Sequence, residues 1–91
     1  MDVKEAVVLA KQNLLDLYAD EKVTNLGLEE VEFDESAGEW IVTLGFSRPW
    51  DEPRNSLAAI AQTYLRRTYK TVKISNDSRQ ILSMRTREVA Q

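Results

Sequence analysis

The stretch from Glu39 to Ser47 constrains the fold most, because its side chains alternate with the period of two of a β-strand. One face of this strand holds four apolar residues, which are Trp40, Val42, Leu44 and Phe46. Gly38 precedes the strand and readily adopts the positive φ of a turn. The sequence therefore predicts a hairpin between this strand and the residues before the turn.

The partner strand, Leu26 to Asp34, changes parity halfway along its length. Its apolar residues form two pairs of opposite parity, Leu26 with Leu28 and Val31 with Phe33. One extra residue in a strand moves all following side chains to the other face of the sheet. A bulge near Glu29 and Glu30 is therefore predicted, since it returns both pairs to the core side.

The first part of the chain, Asp2 to about Glu21, has the spacing of an amphipathic helix. Apolar residues recur there at steps of three and four: Val3, Ala6, Val7, Ala10, Leu14, Leu17 and Tyr18. Asp2 is a suitable N-cap, with Glu5 three residues further on. A second, thinner apolar stripe carries Val8, Leu15 and Ala19. The apolar surface of this helix is thus wider than one small sheet requires.

The second half of the chain predicts another hairpin after an irregular segment. Pro49 and Pro53 end the preceding strand. A short helix is predicted from Asn55 or Ser56 to about Arg67, and a flexible insertion is the alternative. Strands are predicted at 69–75 and 80–87, joined by a polar turn at 76–79. Their inward residues are predicted to be Val72, Ile74, Leu82 and Met84.

Together these elements predict a single α+β domain over residues 1–91, with a four-stranded antiparallel sheet and the N-terminal helix on one face. The short helix lies between the two hairpins. The helix is expected to contact the sheet through Val7, Ala10, Leu14 and Leu17. The expected sheet residues are Val42, Leu44, Val72 and Leu82.

Three stretches of this layout resemble the PepSY family of small α+β modules. They are the N-terminal helix, the segment 38–44 (GEWIVTL), and the closing strands 69–74 (YKTVKI) and 81–84 (ILSM). The resemblance implies the same fold and a role in binding proteins or peptides, with no catalytic residue. The chain departs from the family in lacking glycine in its closing turn, in an insertion at 49–65 and in having no export signal.

The chain contains no histidine and no cysteine. General acid–base chemistry therefore lacks its usual agent, and thiolate nucleophiles, disulfides and soft metal sites are excluded. The acidic residues at 29–35 alternate over two faces of a strand, which predicts a solvated edge and no metal site. We expect no enzyme activity and no cofactor. No signal peptide or membrane span is recognised, so the expected location is cytoplasmic.

Charge is divided unevenly along the chain. Residues 1–46 hold three lysines against eleven acids, a balance of −8, and residues 47–91 hold nine basic residues against four acids, a balance of +5. The favoured function is a protein- or peptide-binding module, and the alternative is a nucleic-acid binder that uses the arginine-rich closing hairpin. The candidate partner-binding residues are Arg48, Trp50, Tyr69, Arg85 and Arg87. For Trp50, the alternative is that its side chain folds back over the open end of the sheet.

Self-association follows from the same charge division. In a meander the acidic first strand and the basic last strand are about 14 Å apart, beyond the roughly 8 Å Debye length, so little pairing within one chain is expected. Between two copies these edges attract each other. Val8 and Leu15 then supply the apolar contact of a homodimer. The alternative is a monomer in which the strands are ordered differently and the acidic and basic strands are adjacent.

Overall fold

The computed structural model describes residues 1–48 and 67–88, which form one α-helix and one antiparallel sheet. The elements in chain order are α1 (Val3–Leu17), a 3-10 turn (Ala19–Glu21), β1 (Thr24–Asp34), β2 (Glu39–Ser47), β3 (Thr68–Ser75) and β4 (Ile81–Thr86). The spatial order of the strands is β1-β2-β3-β4, which is a meander. The predicted α+β fold is confirmed.

The predicted short helix between the hairpins, from 55 or 56 to about 67, lies outside the described residues except for Arg67, as does Trp50. The same is true of the alternative, a flexible insertion. Within the described residues, the additional short helical element is the 3-10 turn at Ala19–Glu21.

Helix α1 begins where the sequence predicts, since the Asp2 side chain accepts a hydrogen bond of 2.8 Å from the Glu5 backbone N–H. This bond satisfies one of the free donors of the first turn. The α-helix ends at Leu17, four residues earlier than expected. The chain continues as the 3-10 turn, and Lys22 in a left-handed conformation (φ 50°) then redirects it into β1.

Helix α1 packs on one face of the sheet, which we call the covered face; the other is the open face. Eight apolar residues are fully buried between them: Ala6, Ala10, Leu14, Val42, Leu44, Phe46, Val72 and Ile74. The expected contact of Leu17 is wrong, because this side chain is 61% exposed. The next residue, Tyr18, contacts Phe46 instead, with ring centroids 5.6 Å apart.

The predicted bulge in β1 is confirmed. Leu28 pairs with Leu44 and Glu30 pairs with Thr43, so Glu29 is the extra residue. Leu28 and Val31, whose partners Leu44 and Val42 are core residues, consequently share the covered face.

Two further register shifts were not predicted from the sequence, one in β1 between Thr24 and Gly27 and one that forms a bulge in β4. Lys73 pairs with Ser83 and Ile74 pairs with Ile81, which leaves Leu82 as the extra residue. Leu82 was expected to face inward, and this is wrong, because it is 48% exposed. Ile81 takes the inward position beside the core.

Candidate binding surfaces

An apolar groove of about 460 Å³ lies between the first half of α1 and strand β1. Its lining residues, Val3, Lys4, Val7, Val8 and Leu28, define the α1–β1 groove. Val8 is 62% exposed and Leu28 is 43% exposed, and both are surrounded by other apolar side chains. The groove is thus a place where apolar surface of this protein remains in contact with water.

The groove exists because one helix does not cover four strands. Helix α1 lies mainly over β2, with fewer contacts to β1 and β3. Apolar residues of β1 on the covered face therefore stay partly uncovered, and Phe33 is 39% exposed although its ring contacts Trp40. Leu28 and Phe33 satisfy the alternation of a core strand but are not core residues.

A second groove, of about 350 Å³, lies on the other side of α1. It is lined by Asp2, Lys4, Glu5, Val8, Leu9 and Arg79. An ion pair of 3.4 Å between Arg79 and Glu5 crosses it. Val8 therefore lies on the ridge between the two grooves. Leu15, two turns further along the helix, is also exposed.

The open face of the sheet is polar. One row of cross-strand partners runs over all four strands as Glu30, Thr43, Thr71 and Arg85. The neighbouring row contains Gly27, Gly45 and Tyr69. Tyr69 and Arg85, two of the predicted partner-binding residues, therefore share this face with the acidic side chains of β1.

Two ion pairs on the open face connect the acidic first half of the chain with its basic second half. Arg67 Nη2 lies 3.4 Å from Glu29 Oε1, and Arg87 Nη1 lies 3.4 Å from Glu30 Oε1. Arg87 Nη1 also donates a hydrogen bond of 3.1 Å to Thr43 Oγ1 on β2. Two arginines from the basic half of the chain are thus paired with acids of β1.

The expectation of little pairing between the acidic and basic strands within one chain is therefore wrong. The spacing of about 14 Å applies to the backbones of two edge strands. Arg87 follows the end of β4 and its long side chain reaches Thr43 on β2, where it meets the side chain of Glu30. The reach of these side chains closes the gap.

Gly45 makes room for this arrangement. A Cβ atom at this position would lie 2.8 Å from both Arg67 Nη2 and Glu29 Oε1, and 3.0 Å from Tyr69 Cε1. These side chains therefore occupy the space directly above the β2 backbone. Next to these side chains lies a polar pocket of about 220 Å³, which is lined by Glu29, Glu30, Thr43, Tyr69 and Arg87.

Arg48 is engaged within the chain. Its Nη1 atom forms an ion pair of 2.8 Å with Glu21 Oε1, and its guanidinium carbon lies 5.8 Å and 5.5 Å from the ring centroids of Tyr18 and Phe46. These contacts attach the 3-10 turn to the end of β2. Its predicted role in partner binding remains a prediction, as does that of Trp50, which lies outside the described residues.

The turn between β1 and β2 is held by one carboxylate. Asp34 Oδ1 accepts hydrogen bonds from the Ser36 hydroxyl at 2.8 Å, the Ser36 backbone at 3.1 Å and the Ala37 backbone at 3.2 Å. The Ser36 hydroxyl bond, followed by the Ala37 backbone bond, holds the pKa of Asp34 below its ordinary value of 3.8. Gly38 completes the turn with φ +67°.

Several residues of these surfaces were not predicted from the sequence. Val3, Leu28 and Phe33 were assigned to the core, because periodicity shows the face of an element and not how far its neighbour extends. Arg67 and Glu29 were not named as site residues. Only the register of β1 on β2 brings Glu29 beside Gly45.

Within residues 1–48 and 67–88, no three acidic side chains come close enough together to hold a metal ion. In the same ranges no helix has the length and apolar character needed to cross a membrane.

Comparison of the chain with protein-family models, with curated proteins and with solved structures found no match. The resemblance to the PepSY family therefore remains a prediction from the sequence. Function has to be argued from the surfaces themselves.

Proposed function

We propose that this protein is a non-enzymatic module that binds another protein, and that the α1–β1 groove and the adjoining ridge of α1 form its contact surface. The observation that carries the proposal is the exposure of neighbouring apolar side chains, above all Val8 and Leu28, in a groove of about 460 Å³. Scattered apolar residues are normal on a protein surface, whereas a contiguous apolar patch marks an interaction site. The cytoplasm is the proposed compartment, with which the lack of cysteine is compatible.

The nucleic-acid alternative has less support. A basic surface binds phosphates by exchanging them for small counterions. On the open face, Arg67 and Arg87 already lie beside Glu29 and Glu30. A polyanion would have to compete with these carboxylates and would be repelled by them, because Glu29 and Glu30 line the same pocket as Arg87 and Tyr69.

Comparison of two charge-adding variants tests the proposal. Val8→Glu places a carboxylate in the α1–β1 groove, and Gln80→Glu adds the same charge at an exposed position beside β4.

Each tagged protein is used to purify partners from its native cells. A partner lost with Val8→Glu and retained with Gln80→Glu is then purified and titrated by calorimetry. We expect Val8→Glu to weaken binding at least tenfold, about 1.4 kcal/mol. Equal recovery by both variants contradicts the proposal.

Self-association is the special case in which the partner is a second copy. Val8 and Leu15 lie on the exposed side of α1, so both are available for such a contact. Light scattering at micromolar concentration measures it directly. A dimer should be reduced to the 10.4 kDa monomer by Leu15→Glu. A wild-type mass of one chain, unchanged in the variant, rules out the homodimer.

A further inference from the structure

Strand β1 is an edge strand with an unusual combination of side chains. Among the described residues, it pairs only with β2, so its other edge is not paired with a strand. From Glu30 to Asp34 its register on β2 is regular, without a bulge. Glu30 and Glu32 lie on the open face. Val31 and Phe33 lie on the covered face, on which Leu28 lines the α1–β1 groove.

Natural proteins usually protect a sheet edge by making it short, bulged or charged. Strand β4 follows this rule, since it has six residues and a bulge at Leu82. Strand β1 also carries bulges, but they lie before Glu30. The regular stretch from Glu30 to Asp34 has acidic side chains on one face and partly exposed apolar side chains on the other. The acidic side chains are enough to protect the edge of β1, but they do not explain why an apolar groove lies next to it.

We propose that β1 binds an extended peptide segment of another protein, which adds a fifth strand at this edge and alternates basic with apolar residues. The inference rests on the proposed function and specifies the partner. Main-chain hydrogen bonds to a free edge give such complexes affinity, and alternate side chains give them specificity. The basic residues of the added strand face Glu30 and Glu32, and the apolar residues enter the α1–β1 groove.

Charge complementarity favours a basic and apolar peptide strand over other binding partners of this edge. Pairing β1 with β1 of a second copy would bring Glu30, Glu32 and Asp34 against the same acids, and like charges opposite each other are destabilising. Glu32 is exposed, and within the described residues it has no ion-pair partner within 4 Å. Its carboxylate is therefore available to a lysine or arginine of an added strand.

The test uses a labelled, acetylated eight-residue peptide that alternates lysine and valine. Binding is followed by fluorescence anisotropy, and hydrogen exchange of the protein amides is followed by NMR. We expect binding with increased protection of amides in the stretch Glu30 to Asp34. A peptide alternating glutamate and valine should not bind. The lysine–valine peptide with all its amides N-methylated keeps its charges but cannot donate hydrogen bonds, and it should lose binding.

Two protein variants with the same change of charge complete the experiment. Glu32→Lys should weaken binding of the lysine–valine peptide about fivefold, which is the effect of one cross-strand charge pair. Glu88→Lys, an exposed position beyond the other edge strand, should leave it unchanged. Equal effects of the two variants, or full binding of the N-methylated peptide, indicate unspecific attraction to an acidic protein and overturn the inference.

The outcome also separates this inference from the proposed function. If the lysine–valine peptide fails to bind while Val8→Glu still abolishes recovery of a partner, strand addition is wrong and the binding function stands. If Val8→Glu and Gln80→Glu recover the same partners while the peptide protects β1, the edge binds a strand and the groove is not the main contact.

Discussion

The two faces of the sheet are built from the same four strands but are stabilised by different interactions. On the covered face, five buried apolar residues of the sheet pack against three buried residues of α1. The open face is held by long polar side chains, with the two ion pairs Arg67–Glu29 and Arg87–Glu30 at 3.4 Å. Burial of apolar surface contributes more free energy per residue than exposed ion pairs do. Stability should therefore depend on the covered face, which leaves the open face and the edges free to vary with function.

Truncation of the central helix residue should give the largest effect. Leu14 is fully buried, so Leu14→Ala should lower the free energy of unfolding by about 2–5 kcal/mol through lost burial and a cavity. Leu17→Ala makes the same chemical change three residues away at an exposed position, and should cost only about 0.5 kcal/mol. Urea denaturation measures both. Similar losses for the two variants would mean that α1 is rotated from the position described.

The open face should give a smaller effect that depends on salt. A double-mutant cycle of Glu30→Gln and Arg87→Gln should yield a coupling of about 0.2–1 kcal/mol, because both side chains are about half exposed. Raising the salt concentration should reduce it. The coupling is obtained from urea denaturation of the four proteins. A coupling above about 2 kcal/mol, or one insensitive to salt, would place this pair in a more buried environment than the structure shows.

A substitution in the turn between β1 and β2 should give the smallest effect, which is measured as a change in the pKa of Asp34. The Ser36 hydroxyl bond is the largest cause of the low pKa of Asp34, so Ser36→Ala should raise that pKa toward 3.8. Because the folded pKa is depressed, the stabilisation is present above about pH 4 and is lost as pH falls through the folded pKa. An NMR titration of the Asp34 carboxyl measures this. Ser78→Ala, in the other hairpin turn, should leave the titration of Asp34 unchanged. If it shifts the pKa of Asp34 as much as Ser36→Ala does, the Ser36 hydrogen bond is not the cause of the low pKa.

Two of the register shifts, at Glu29 and at Leu82, illustrate what the alternation of side chains can predict. The bulge at Glu29 was predictable, because two apolar pairs of opposite parity flank it within one strand. The bulge at Leu82 was not, since Ile81, Leu82 and Met84 are all apolar and either Ile81 or Leu82 can take the inward position. The structure selects Ile81 through its pairing with Ile74. Where both candidates are apolar, alternation carries no information about register.

The surfaces were predicted less completely than the fold. Exposure of Val8 and Leu15 followed from the width of the apolar stripe on the helix. The pairing of Arg87 with Glu30 was missed for two reasons. These residues are 57 positions apart in the sequence, and the distance between their strands was taken between backbones, without the length of the side chains. The groove was missed because Leu28 carries the same pattern as a core residue.

The sequence by itself determined the α+β class, the helix start at Asp2, the hairpin at Gly38 and the bulge at Glu29. Each of these depends on neighbours in the chain, through periodicity, capping or turn conformation. The tertiary structure alone decided that α1 stops at Leu17 and lies mainly over β2, and that Arg67 and Arg87 lie beside the acids of β1. Those features depend on the relative positions of elements distant in sequence, which local patterns do not encode.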